Sequence, residues 1–275
     1  MIDRSHIATA VVLVIAAAVM LAAPVRAADL DCLLQPRETV VVSTPVEGVV
    51  ERVFVDRGSL VEKGAVLAVL ESTVERHAVA IAALRAEQES AVKSNEVKVS
   101  FGARRLERTD EMYRKSLVPL KDLDEAETVK IIAEYDLVEA KENKALAKLE
   151  HERTKAALEL RTIRSPLTGV VIERLRHPGE LAARDYPIVK IAQLNPLRAE
   201  AFAPIAMLGK LTVGQPAVVV PEPPMSRPLE ASVIVVDPIV DAASGTFAVR
   251  LELRNPGNRV PSGLKCTVSF GGARR

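Results

Sequence analysis

Pro45-Val46-Glu47-Gly48-Val49-Val50 returns further along the chain as Pro166-Leu167-Thr168-Gly169-Val170-Val171. A second glycine follows each copy, Gly58 in the first and Gly179 in the second. The differences 166−45, 169−48 and 179−58 are all 121. Leu60 and Leu181 keep the same offset, and Gly64 is matched by Asp185, another residue that tolerates turn geometry. Two copies are too few for a solenoid, which stacks three or more contiguous units. The spacing predicts one small β-fold of two similar halves with a long insertion between them.

Working outward, each half consists of short β-branched runs punctuated by glycine, aspartate and proline. The first reads Val40 to Ser43, Val49 to Val55 and Val66 to Leu70; the second reads Val170 to Ile172 and Ile188 to Ile191. Such runs signal strands joined by tight turns. The glycines mark backbone that needs positive φ, where a β-branched residue is strained. The pattern resembles the two half-motifs of a lipoyl/biotinyl-type domain, a flattened β-sandwich with a quasi-dyad. Carriers of that fold present a lysine in the turn between the halves. Here the corresponding point is Leu70-Glu71-Ser72-Thr73, which has no such lysine. No biotin, lipoate or other cofactor is therefore expected.

The insertion, 73–161, is built from Ala, Glu, Lys, Arg and Leu, all strong helix formers, with both charge signs mixed. Val92, Val99, Leu106 and Tyr113 recur at steps of seven, with a phase break before Val92. In the second arm Ile131, Val138 and Ala145 do the same, joined by Tyr135, Leu149 and Ala156. Heptads predict a supercoiled helix pair, although Glu142 and Glu152 fall on the expected seam. Pro119 lies near the midpoint. It should end the first helix at Val118, and the second should start at Pro119 or Leu120. Both ends must return to one β-fold, so the insertion reads as an antiparallel hairpin, each arm roughly 60 Å long.

At the N-terminus an apolar run from Ile7 to Ala23 follows Arg4, and Val25-Arg26-Ala27 offers small residues for cleavage after Ala27. Residues 1–27 read as a secretory signal peptide, with an uncleaved inner-membrane anchor as the alternative. Cys32 lacks the residues expected before a lipidated cysteine. Beyond Asn195-Pro196, strand-like runs at Arg198 to Ala203, Ala217 to Val220, Leu229 to Val236, Thr246 to Leu253 and Cys266 to Phe270 predict a small β-barrel. Met207 to Leu211 reads as its one short helix, and Asp237, Asp241 and Asn255 as turn residues. The only cysteines, Cys32 and Cys266, permit a disulfide in an exported protein; two separate buried thiols are the other reading.

This order of parts resembles the periplasmic adaptor subunits, or membrane fusion proteins, of the haemolysin-D-like family of efflux and secretion systems. The strongest stretches are Ser43 to Glu71, Arg164 to Ile191 and Val236 to Arg250, with Asn255-Pro256 and Pro261-Ser262-Gly263 as a closing barrel turn. The organisation expected is a split lipoyl-like domain (38–72 and 162–193), a coiled-coil α-hairpin (73–161), a β-barrel (28–37 and 194–271) and a tail (272–275). No further domain is expected after the barrel. The resemblance implies a non-catalytic periplasmic protein that links an inner-membrane transporter, proton-driven or ATP-driven, to an outer-membrane channel, and that works as a homo-oligomer. It places the channel contact at the hairpin tip: Arg108, Met112, Leu117, Val118, Pro119, Leu120 and Lys121. The family's Arg, Leu, Ser tip pattern falls on Arg108, Met112 and Pro119, and only the arginine is kept.

Other function classes find little support. A net charge of +1 without a basic cluster argues against nucleic-acid binding. His6, His77, His151 and His177 are scattered, and no nucleophile motif or metal-ligand spacing occurs. The competing reading is a free-standing envelope coiled-coil scaffold with no transporter partner.

Overall fold

Strands β2 (Gly48–Val53) and β6 (Gly169–Arg174) each begin at a glycine of the repeat. They belong to a computed structural model that describes residues 29–271; the predicted signal peptide and tail lie outside the described residues. The described chain forms two compact units, Val40–Ile191 and the segments flanking it.

In the first unit the two halves interlock through a local quasi-dyad. β2 pairs with the short strand β7 (Leu181–Ala182) through Gly48↔Ala182 and Val49↔Leu181. β6 pairs with β3 (Leu60–Val61) through Val61↔Gly169 and Leu60↔Val170, the same pairing displaced by the repeat. Turn bonds obey the same symmetry: Gly58 N–H donates to the Val171 carbonyl and Gly179 N–H to the Val50 carbonyl, both at 2.8 Å. Gly58 and Gly179 sit at φ +89° and +90°. Each half therefore completes the other, and Val50, Leu67, Leu70, Val171, Ile188 and Ile191 fill a shared core. β4 (Val66–Leu70) lies between β2 and β5 (Thr162–Arg164), which places the exit to the insertion beside its return.

The insertion is a long helical hairpin. α1 (Thr73–Glu87) and α2 (Ser90–Arg114) form the outgoing arm, and α3 (Leu120–Glu159) returns without interruption. The break at Gln88 and Glu89, where Gln88 takes extended ψ of 122°, stands at the phase break read from the heptads. Two expectations need correction. The outgoing helix ends at Arg114, four residues before Val118, because the chain turns through Ser116 at φ 56°. The returning arm's packed row is Ala126, Ala133 and Ala140, not Ile131, Val138 and Ala145. Ile131, Tyr135, Val138 and Leu149 are 42–72 % exposed on the outer surface of α3. The reason is distance. A Cβ added to Gly102 would lie 3.1 Å from the Lys130 Cα, so the helices approach too closely for large side chains. Glu142 and Glu152, out of place on a buried seam, stand in water on the outward stripe.

The second unit is a closed ring of strands. β1 (Leu30–Val42), β12 (Lys265–Phe270), β9 (Pro216–Pro221), β10 (Leu229–Asp241), β11 (Thr246–Leu253) and β8 (Val189–Pro204) follow in order, and β8 pairs with β1. Side chains alternate along β8: Leu197, Ala199, Ala201 and Ala203 are fully buried, while Phe202 between them is exposed. Cys32 and Cys266 are directly opposed on β1 and β12 and joined by a disulfide, Cα–Cα 4.8 Å. In place of a helix at Met207 to Leu211 there is one 3-10 turn, Ile205–Met207. Asp237 and Asp241 accept from the Ile239 and Ala243 N–H groups as turn residues do. Asn255 does more. It is 2 % exposed, and its side chain bonds the Leu194 carbonyl and both the N–H and carbonyl of Val260.

Candidate functional site

The hairpin tip is built by a helix stop and a helix start five residues apart. Ser116 N–H donates to the Tyr113 carbonyl at 2.8 Å, and Leu117 N–H to the Met112 carbonyl at 2.9 Å. That pair of bonds around a left-handed residue is a Schellman stop, and it satisfies two carbonyls the helix end would otherwise leave open. Pro119 then caps α3 with φ −72° and ψ 159°, and Asp122 adds a carboxylate to its first turn.

The geometry turns Leu117 and Leu120 outward, 69 % and 54 % exposed. Val118 is half-buried, and Met112 is 40 % exposed on the last turn of α2. Arg108, Pro119 and Lys121 are exposed, as are Arg114 and Lys115. Arg114 pairs with Asp110 at 2.8 Å and Lys121 with Glu125 at 3.7 Å. The tip thus shows a small apolar knob inside a largely basic rim. Its chemistry is that of a contact surface. No group of three or more His, Cys, Asp or Glu side chains that could hold a metal occurs among the described residues.

At the opposite end, Arg161 ties the hairpin to the β-sandwich. Its guanidinium donates to Glu75 Oε1 at 2.6 Å and to the Glu47 carbonyl at 2.9 Å. In the sequence Arg161 stands as one more charge in a charged segment. A lone arginine gives no signal of its own, but Gly48 does: a Cβ there would meet the Arg161 Nη1 at 2.5 Å. Midway, the Glu89 carboxylate at the helix break bonds Lys144 at 2.7 Å and Lys93 at 3.0 Å. Those hydrogen bonds, first to Lys144 and then to Lys93, pull its pKa from 4.5 to about 2.

A lipoyl-like sandwich interrupted by a helical hairpin, with a small β-barrel in the same chain, is the architecture of the membrane fusion proteins. Residues 38–193 match the CzcB-like barrel-sandwich hybrid domain, and residues 199–274 the CusB-like beta-barrel domain. The first match covers more than half the chain, which therefore belongs to the CzcB-like barrel-sandwich hybrid family. No curated protein sequence matches. Among solved structures, MacA from Actinobacillus actinomycetemcomitans is similar at 19 % identity and TM-score 0.74, over 89 % of this chain and 78 % of its own. The membrane fusion protein Spr0693 from Streptococcus pneumoniae R6 is similar at 14 % identity and TM-score 0.60, over 90 % of this chain and 100 % of its own. A putative efflux transporter from Bacteroides eggerthii gives 16 % identity and TM-score 0.53, over 90 % and 73 %.

Proposed function

We propose that this chain is a periplasmic adaptor, exported by its signal peptide, that joins an inner-membrane efflux or secretion transporter to an outer-membrane channel. It acts by binding and alignment, without catalysis and without a cofactor, and it works as a homo-oligomer. The observation that carries this reading is the exposed Leu117 and Leu120 knob, ringed by Arg114, Lys115 and Lys121, at the end of a 40-residue helix. At 1.5 Å per residue that helix holds the knob roughly 60 Å from the β-sandwich, beyond the reach of any partner on the same sandwich. An apolar cluster kept so far from its own fold is a surface for another molecule. The two arms, wound as an antiparallel coil, serve as the spacer, and the β-barrel serves as the transporter-facing part.

The test is photo-crosslinking in the native envelope, with crosslinkers at Leu117 and Lys121 and a second set on the barrel. Tip probes should capture an outer-membrane channel and barrel probes an inner-membrane transporter. Leu117→Asp with Leu120→Asp should abolish transport while leaving export and folding intact. Tip probes that capture nothing, with transport unaffected by the double change, would favour the free-standing scaffold.

A further inference from the structure

The barrel ring closes where its first strand meets its last. β9, β10 and β11 follow one another directly in the chain, whereas β1 and β12 meet at Cys32 and Cys266 across a sequence separation of 234. Their register is short, from Leu30↔Val268 to Leu33↔Lys265. It is extended by Leu34 N–H donating to the Leu264 carbonyl at 2.8 Å and Gly263 N–H to the Leu34 carbonyl at 2.7 Å. By contrast β11 lies along β8 from Thr246↔Pro204 to Leu253↔Leu197. Closing so long a loop costs entropy that no hairpin turn reduces. A strand at the start of a fold, held by few bonds, opens first. The β1–β12 seam is therefore the weak join of the ring, and the disulfide sits in it.

Alternation on β1 turns Leu30, Cys32 and Leu34 into the barrel core, and alternation on β12 does the same for Cys266 and Val268. Cys32 is 6 % exposed and Cys266 3 %, so both are covered while the seam is shut. Thiol–disulfide exchange requires an attacking thiolate to reach a sulfur. A shut seam blocks that attack and an open one admits it. The chain has no third cysteine, so only one intramolecular pairing exists and no reshuffling is needed.

We infer that Cys32 and Cys266 form a one-way redox latch on the barrel. With both thiols reduced the seam opens and closes, and an oxidant that carries a disulfide reaches either sulfur while it is open. One cysteine thiolate attacks the oxidant's disulfide, which gives a mixed disulfide and releases one oxidant thiol. The other cysteine's thiolate attacks the chain's own sulfur in that mixed disulfide, and the second oxidant thiol leaves. Two electrons and two protons pass to the oxidant, which ends as a dithiol. The seam then shuts over the new bond and keeps reductants from it. The inference rests on the export in the proposed function, which supplies the oxidising compartment.

The test uses the mature chain, either oxidised or reduced in urea and refolded, with hydrogen exchange read by mass spectrometry. Peptides covering 30–34 and 265–270 should exchange at least about tenfold faster in the reduced chain, while peptides from β2, β6 and α3 keep their rates. Cys32→Ala with Cys266→Ala should behave as the reduced chain does. Dithiothreitol should reduce the oxidised chain at least about a hundredfold more slowly in buffer than in about 6 M urea. Oxidised glutathione should re-form the bond in the reduced, folded chain without urea. Equal exchange in all three chains would overturn the latch, as would rapid reduction in buffer or folded thiols indifferent to oxidised glutathione. So would a reduced chain that loses protection throughout. A chain isolated from its native envelope with both thiols free, yet latched by added oxidised glutathione, would count against export while supporting the latch.

Discussion

Replacing Arg161 with methionine should loosen the base of the hairpin by an amount the geometry allows to be worked out. Arg161 follows the end of α3, Glu75 stands in the first turn of α1, and Glu47 directly precedes β2, so one guanidinium holds three segments together. The side chains of Arg161 and Glu75 are 23 % and 21 % exposed, which places the pair between a surface bridge and a buried one. Breaking a fully buried pair costs about 3–5 kcal/mol, and an exposed one is worth about 0–1 kcal/mol. The second bond, to a neutral carbonyl, contributes about 1 kcal/mol. We therefore expect about 2 kcal/mol lost on Arg161→Met, and a coupling of about 1–2 kcal/mol in a double-mutant cycle with Glu75→Gln. Gly48→Ala supplies an internal control. It should cost about 1 kcal/mol in the native background, where the new Cβ displaces the guanidinium, and little in the Arg161→Met background. Urea unfolding followed by helical circular dichroism gives all of these values. A loss under about 0.5 kcal/mol for Arg161→Met, additive with Glu75→Gln, would refute the clamp.

Two smaller predictions follow from the hairpin's other irregular points. Ser116 pays about 1–2 kcal/mol for left-handed backbone that glycine adopts freely, so Ser116→Gly should raise the melting temperature and Ser116→Val lower it; equal melting of all three would refute the Schellman stop. Glu89 titrates below its unfolded value of 4.5, so its contribution to stability is complete above that value and disappears as pH falls through about 2. An NMR titration of the Glu89 carboxyl should show this midpoint, and Lys144→Ala should move it upward; a midpoint indifferent to Lys144 would assign the shift to another cause.

The sequence by itself determined the split of the β-sandwich, because tight turns require glycine at particular steps and the requirement recurs 121 residues later. It also determined that the insertion is a helical hairpin, since composition excludes most alternatives and Pro119, near the midpoint, starts a second helix. The run from Arg198 to Ala203 was legible as a strand, whereas its inner face of Leu197, Ala199, Ala201 and Ala203 is seen in the burial pattern of β8. What only the tertiary structure decided is which stripe of α3 turns inward. The sequence offers two rows at sevenfold spacing, Ala126-Ala133-Ala140 and Ile131-Val138-Ala145, and hydrophobicity alone selects the larger residues. The close approach at Gly102 selects the smaller ones, because helix separation belongs to the pair of helices and to neither sequence alone. The same holds for Arg161, whose role exists only where α1, α3 and the Gly48 turn converge, and no spacing along the chain encodes that meeting.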